Sequence, residues 1–68
     1  MKMVQVNSSN IAAVGYEGNT LVIDFHSGGT YAYYGVPATV YQALMAAPSH
    51  GKYHAQNIKY VFPYQRIR

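Results

Sequence analysis

Alternating apolar and polar positions predict three successive strands in the first half of the chain. The clearest is Thr20 to His26, where Leu21, Ile23 and Phe25 face one way and Val22, Asp24 and His26 the other. Ser27-Gly28-Gly29 follows as a hairpin signal, because glycine tolerates positive φ. Thr30 to Tyr34 is the return strand, with Tyr31 and Tyr33 on one face and Ala32 and Tyr34 on the other. Upstream, Ile11 to Tyr16 is rich in small and β-branched residues and ends at the turn Glu17-Gly18-Asn19. These strands form an antiparallel meander. Residues 3 to 6 add a short edge strand, separated from it by the polar break Asn7-Ser8-Ser9-Asn10.

The period then changes. Gly35-Val36-Pro37 closes the sheet, and Pro37 suits the first position of a helix. That helix runs to about Ala47, where Pro48 stops it. Val40, Leu44 and Ala47 form its apolar stripe, flanked by Tyr41 and Met45. Ser49 caps a second short helix from His50 to about Tyr60, although Gly51 in the first turn weakens it. On this helix Tyr53 shares a face with Asn57 and Tyr60. Phe62-Pro63-Tyr64 breaks it, and Gln65 to Arg68 is a short tail. The expected fold is α+β: a three-stranded antiparallel meander, with an N-terminal edge strand, packed against one or two short helices.

Size limits what this fold can do. Residues 1–68 make one domain, and a chain this short buries only about 60% of its unfolded surface. There is no cysteine, so neither disulfides nor thiolate zinc sites supplement the core. Self-association is the remaining supplement, so a homo-oligomer stays open. No run approaches the roughly 18 apolar residues of a membrane span, and the N-terminus lacks a signal-peptide core. A cytoplasmic location fits these features.

Charge sharpens the functional choice. The formal charge is +3, but its distribution says more. Lys52, Lys59, Arg66 and Arg68 all follow residue 51, whereas Glu17 and Asp24 precede residue 25. A purely cationic last third favours an anionic partner such as nucleic acid or a nucleotide. Catalysis has little material: the two acids sit on a turn and a strand, and no serine lies in a nucleophile elbow. His50 and His54 have i, i+4 spacing, but Gly51-Lys52-Tyr53 lies between them and no third ligand is evident. They read as ordinary surface histidines, with no metal and no cofactor. Gly28-Gly29 lacks the frame of a phosphate loop and reads as a turn.

The eight tyrosines are the main candidates. Lys52, Tyr53, Lys59, Tyr60 and Tyr64 interleave rings with charges. Cations hold phosphates, while rings stack bases for about 1–3 kcal/mol each. Alternatively, Tyr53, Ile58 and Val61 pack this segment onto the sheet. Tyr31 and Tyr33 serve as core residues or as a stacking platform, with at least one of them in the core.

The order of several short motifs resembles the KTSC domain, named for its occurrence at the C-terminus of some lysyl-tRNA synthetases and also found as free-standing bacterial and phage proteins. The matching segments are Val6-Asn7-Ser8-Ser9-Asn10-Ile11, Val14-Gly15-Tyr16, Tyr31-Ala32-Tyr33, Gly35-Val36-Pro37 with Val40-Tyr41, Ser49-His50-Gly51-Lys52-Tyr53 and Ile58. The pattern departs after Tyr53. His54-Ala55-Gln56-Asn57 and Tyr60-Val61-Phe62 stand where a further aromatic and more basic residues are expected, so the cationic surface is thinner. The synthetase association implies RNA binding. Three readings therefore stand. The first is a non-catalytic RNA-binding module using Lys52, Lys59, Arg66 and Arg68 on phosphates and Tyr31, Tyr33, Tyr53 or Tyr60 on bases. The second is an oligomeric nucleotide binder, such as a phage sequestering protein, with its pocket between copies. The third is a protein-interaction module using an exposed apolar patch.

Overall fold

A computed structural model describes residues 1–68. Strands β1 (Met3–Gln5), β2 (Ile11–Glu17), β3 (Thr20–Phe25) and β4 (Thr30–Tyr33) are followed by helices α1 (Ala38–Ala46) and α2 (His50–Asn57), then β5 (Tyr64–Arg66). The five strands form one sheet in the order β1-β2-β3-β4-β5. Every neighbouring pair is antiparallel. The α+β class and the central meander agree with the sequence pattern, and β1 is the expected edge strand.

The expected C-terminal tail is instead the fifth strand. Tyr31, Ala32 and Tyr33 of β4 pair with Arg66, Gln65 and Tyr64. The bonding continues beyond the strand, since the Thr30 N–H donates to the Arg68 carbonyl at 2.9 Å. Three residues carry too little alternation to announce a strand, and this one exists only because β4 offers a free edge.

Register decides which side chains face inward. In an unbroken strand Ile11 and Val14 would point to opposite faces, yet both are fully buried. The ladder shifts between Ile11 and Ala13, leaving Ala12 as the extra residue of a bulge. Ile11 then aligns with Phe25 and Val14 with Ile23 on the same face. The core is completed by Leu21, Tyr33, Val36, Leu44 and Ile58.

The helices differ from expectation at their ends. Pro37 is the N-cap of α1, with ψ of 154°, and Ala38 is the first helical residue. Extended Ala47 ends α1 before Pro48, whose ring disfavours a helical predecessor. Ser49 caps α2 as expected, its side chain accepting the Lys52 N–H at 3.3 Å. The second helix ends at Asn57, short of Tyr60. Ile58 leaves helical geometry and Tyr60 adopts a left-handed φ of 68°. Tyr53 and Tyr60 therefore share no helical face.

Three contacts fix α1 and the segment leading into it. The Tyr16 ring stacks on Tyr41 at 4.9 Å between centroids, and its hydroxyl donates to the Val36 carbonyl at 2.6 Å. His50 Nδ1 donates to the Leu44 carbonyl at 2.8 Å, satisfying a helix-end acceptor.

Leu44 is the one fully buried side chain of α1. Leu44→Ala is expected to lower the unfolding free energy by about 2–5 kcal/mol in urea titration. Val61→Ala, at an exposed position, shifts it by less than about 0.5 kcal/mol. Equal small losses would show that the core is not centred where the packing puts it.

Candidate functional site

Tyr33 and Tyr64 face each other across the β4–β5 ladder, one row from Tyr31 and Arg66. Because side chains alternate, all four project to the helix side of the sheet. The helices cover only part of that side. Between α2 and the β3–β4 hairpin lies an open cleft of about 350 Å³. Phe25, Tyr31, Tyr33 and Tyr64 give it aromatic surface from three strands. Gly51, His54 and Ala55 of α2, with Lys59 and Tyr60 beyond it, form one wall. Asn10, Ser27 and Gly28 form the other.

The rings are in mutual contact. Phe25 meets Tyr31 edge-on at 5.8 Å and His54 at 5.2 Å. Tyr64 lies 5.9 Å from both Tyr31 and Tyr33. Tyr33 and His54 meet at 5.5 Å, and the Tyr33 hydroxyl is 2.7 Å from His54 Nε2. This polar pair is buried, with Tyr33 3% and His54 6% exposed.

Sequence features shape the walls. Gly28 and Gly29 have φ of 105° and 91°, which only glycine adopts readily, so the hairpin turns tightly beside the cleft. At Gly51 a Cβ would lie 3.2 Å from Asn10 Cβ. The glycine that weakens α2 locally thus admits Asn10 against its first turn. At the lip, Tyr60 is 83% exposed, with Lys59 Nζ 5.2 Å from its ring centroid. An exposed aromatic in left-handed geometry is uncommon, and such positions cluster at ligand sites.

Burial sets the protonation of the central pair. It pushes the Tyr33 phenol up to about 12, reinforced by Tyr31 and Tyr64. It also holds His54 below the ordinary imidazole value, with Lys59 adding to the effect. Both groups are neutral at pH 7.

The structure gathers some of the expected site residues and separates others. Tyr31, Tyr33, Lys59 and Tyr60 line the cleft. Tyr33 is core as well as floor, while Tyr31 is partly buried. Arg66 flanks the cleft, because its guanidinium lies beside Gly29, as Tyr31 does. Its Nε donates to the Arg68 carbonyl at 3.2 Å, and Arg68 lies on the same edge. Lys52 is exposed on α2 outside the lining, and Tyr53 packs against the core. His54 corrects the expectation of two surface histidines, since it is buried and bonded to Tyr33. Its position four residues before buried Ile58, on one helical face, was the available signal. Tyr64, one of the interleaved rings of the basic segment, also belongs to the lining, as do Phe25 and Asn10, which were not among the expected site residues.

Five antiparallel strands with two helices on one face define the class as a small α+β domain. A family model for the KTSC domain matches residues 7–62, and the chain belongs to that family. It is 39% identical over 67 residues to a lysine–tRNA ligase of a Nostoc species, covering 96% of this chain and 12% of the ligase. It is 41% identical over 61 residues to an uncharacterized protein of Stutzerimonas stutzeri, covering 87% of this chain and 86% of that protein. The crystal structure of a KTSC domain protein from Yersinia pestis superposes with a TM-score of 0.95 at 38% identity, covering 98% of this chain and 97% of that one.

The central pair makes stability depend on pH at both ends. A base with a lowered folded pKa binds fewer protons when folded, so stability rises with pH in its window. For His54 this contribution is complete above the ordinary value of 6.5 and is lost as pH falls below it. Tyr33 keeps its proton when folded, so stability falls as pH rises from 10.0 towards 12. Thermal melts should therefore plateau between 6.5 and 10.0 and decline on either side. His54→Gln should flatten the acid limb and Tyr33→Phe the alkaline one. Unchanged limbs in both variants would contradict the assignment.

Proposed function

We propose that this KTSC domain is a non-catalytic module that binds single-stranded RNA, with an unpaired base in the aromatic cleft and phosphates along its basic rim. The observation that carries this reading is the joining of five aromatic rings and Lys59 in one open cleft, with Arg66 and Arg68 on the adjoining strand edge. Planar rings accept bases without regard to sequence, and the cations hold the backbone. The lysine–tRNA ligase relative names an RNA, which supports the same partner class here.

Charge placement also disfavours catalysis. Both carboxylates lie outside the cleft. Asp24 accepts the Thr30 hydroxyl at 3.1 Å, and Glu17 sits 3.7 Å from the terminal ammonium of Met1. The cleft holds no carboxylate to act as general acid or base beside His54. A free nucleotide fits the same chemistry, and a cleft formed within one copy does not require the pocket between copies. The β5 edge beside the cleft carries two arginines, which favours a strand that continues past the bound base.

Three phosphate contacts, from Lys59, Arg66 and Arg68, give a slope of log K against log salt of about −2 for single strands. Fluorescence anisotropy with a labelled single-stranded RNA should show this slope, and Lys59→Gln should reduce it by about 0.7. Tyr60→Ala, at an exposed position, should weaken binding about fivefold to a hundredfold through lost stacking. Salt-independent binding would contradict the reading. Tight binding of mononucleotides but not RNA would replace it with nucleotide capture.

A further inference from the structure

His54 is the one side chain that joins the buried core to the cleft through a defined hydrogen bond. Its Nε2 lies 2.7 Å from the Tyr33 hydroxyl. That hydroxyl makes no other hydrogen bond, and Tyr33 is 3% exposed. If it accepted a proton from Nε2, its own O–H would be left buried without an acceptor. An orphaned buried donor is costly, whereas a hydroxyl oxygen with unused lone pairs is tolerated. The hydroxyl therefore donates, and Nε2 is the acceptor. A neutral imidazole with an accepting Nε2 carries its proton on Nδ1.

Nδ1 has no partner within the protein, and no buried side-chain nitrogen or oxygen lacks one. It is therefore accessible, and the opening that His54 lines is the cleft. The cleft thus presents an N–H donor whose tautomer is set from beneath. Lys59 adds a second donor, and no carboxylate offers a matching acceptor.

Building on the nucleobase reading of the cleft, we propose that His54 sets its base preference, as a fixed Nδ1–H donor that favours the keto bases uracil and guanine over the amino bases cytosine and adenine. A donor facing uracil O4 or guanine O6 makes a hydrogen bond. The same donor facing the exocyclic amino group of cytosine or adenine meets another donor. Uracil and cytosine have nearly the same shape, so stacking on the tyrosines does not separate them. The lowered basicity of His54 supports the role, because it keeps one ring proton rather than two at neutral pH.

Two measurements test this on the intact chain. Long-range nitrogen–proton NMR of the free protein at pH 7.5 should show His54 protonated at Nδ1 and bare at Nε2. Tyr33→Phe should release that lock and give a tautomer mixture. Anisotropy with oligouridine and oligocytidine of equal length should show a preference for oligouridine of roughly tenfold, the usual cost of one mismatched polar group. In Tyr33→Phe that ratio should shrink while the salt slope stays the same, which a merely structural role would not produce. A proton on Nε2 in the wild type overturns the proposal, as does equal binding of the two oligonucleotides. Binding of neither overturns the RNA reading and the proposal together. If Tyr33→Phe fails to fold, the wild-type tautomer and the wild-type ratio still decide.

Discussion

The hydrogen bond between Tyr33 on β4 and His54 on α2 is the contact on which the rest of this structure turns. It places a polar pair inside a core that otherwise consists of aliphatic side chains. Neither partner could be buried alone, because each would leave a polar group without a substitute for water. Together they tie the second helix to the middle of the sheet. The bond also defines where the core stops. Below it lie Ile23, Leu44 and Ile58, and above it the aromatic cleft opens.

The sheet makes this arrangement possible through two irregular features. The bulge at Ala12 turns Ile11 inward beside Phe25, so the floor extends one row beyond regular pairing. The fifth strand then carries Tyr64 and Arg66 to the edge opposite Tyr33 and Tyr31. Without β5 the cleft would lose one aromatic wall and its flanking arginines. The other face of the sheet carries no helix and is lined by small residues. Gly15, Val22 and Ala32 form one row there, with Met1 and Met3 lying over Gly15.

Local signals made much of the fold readable from the sequence. The meander, the Gly28-Gly29 hairpin, the Ser49 cap and the stop at Pro48 each depend on residues close together in the chain. The missed features depend on partners that are distant in sequence. Tyr64–Arg66 becomes a strand only against β4, and Tyr60 turns left-handed two residues after Ile58 is buried in the core. The site divides the same way. Tyr31, Tyr33, Lys59, Tyr60 and Tyr64 are distinguished by residue type, whereas Asn10 and Phe25 join them only through topology. The i, i+4 spacing of His50 and His54 suggests two exposed imidazoles, whereas His54 in fact shares the buried face of Ile58.

The cleft therefore combines a floor held rigid by the core with a lip, Lys59 and Tyr60, that is free to meet a ligand. Chemical-shift mapping by proton–nitrogen NMR during titration with a short single-stranded RNA tests this account most directly. The account predicts that the largest changes fall on Tyr31, His54, Lys59, Tyr60 and Tyr64, with the opposite sheet face unmoved. Changes centred on Val22 and Ala32, or none at saturating RNA, would contradict it.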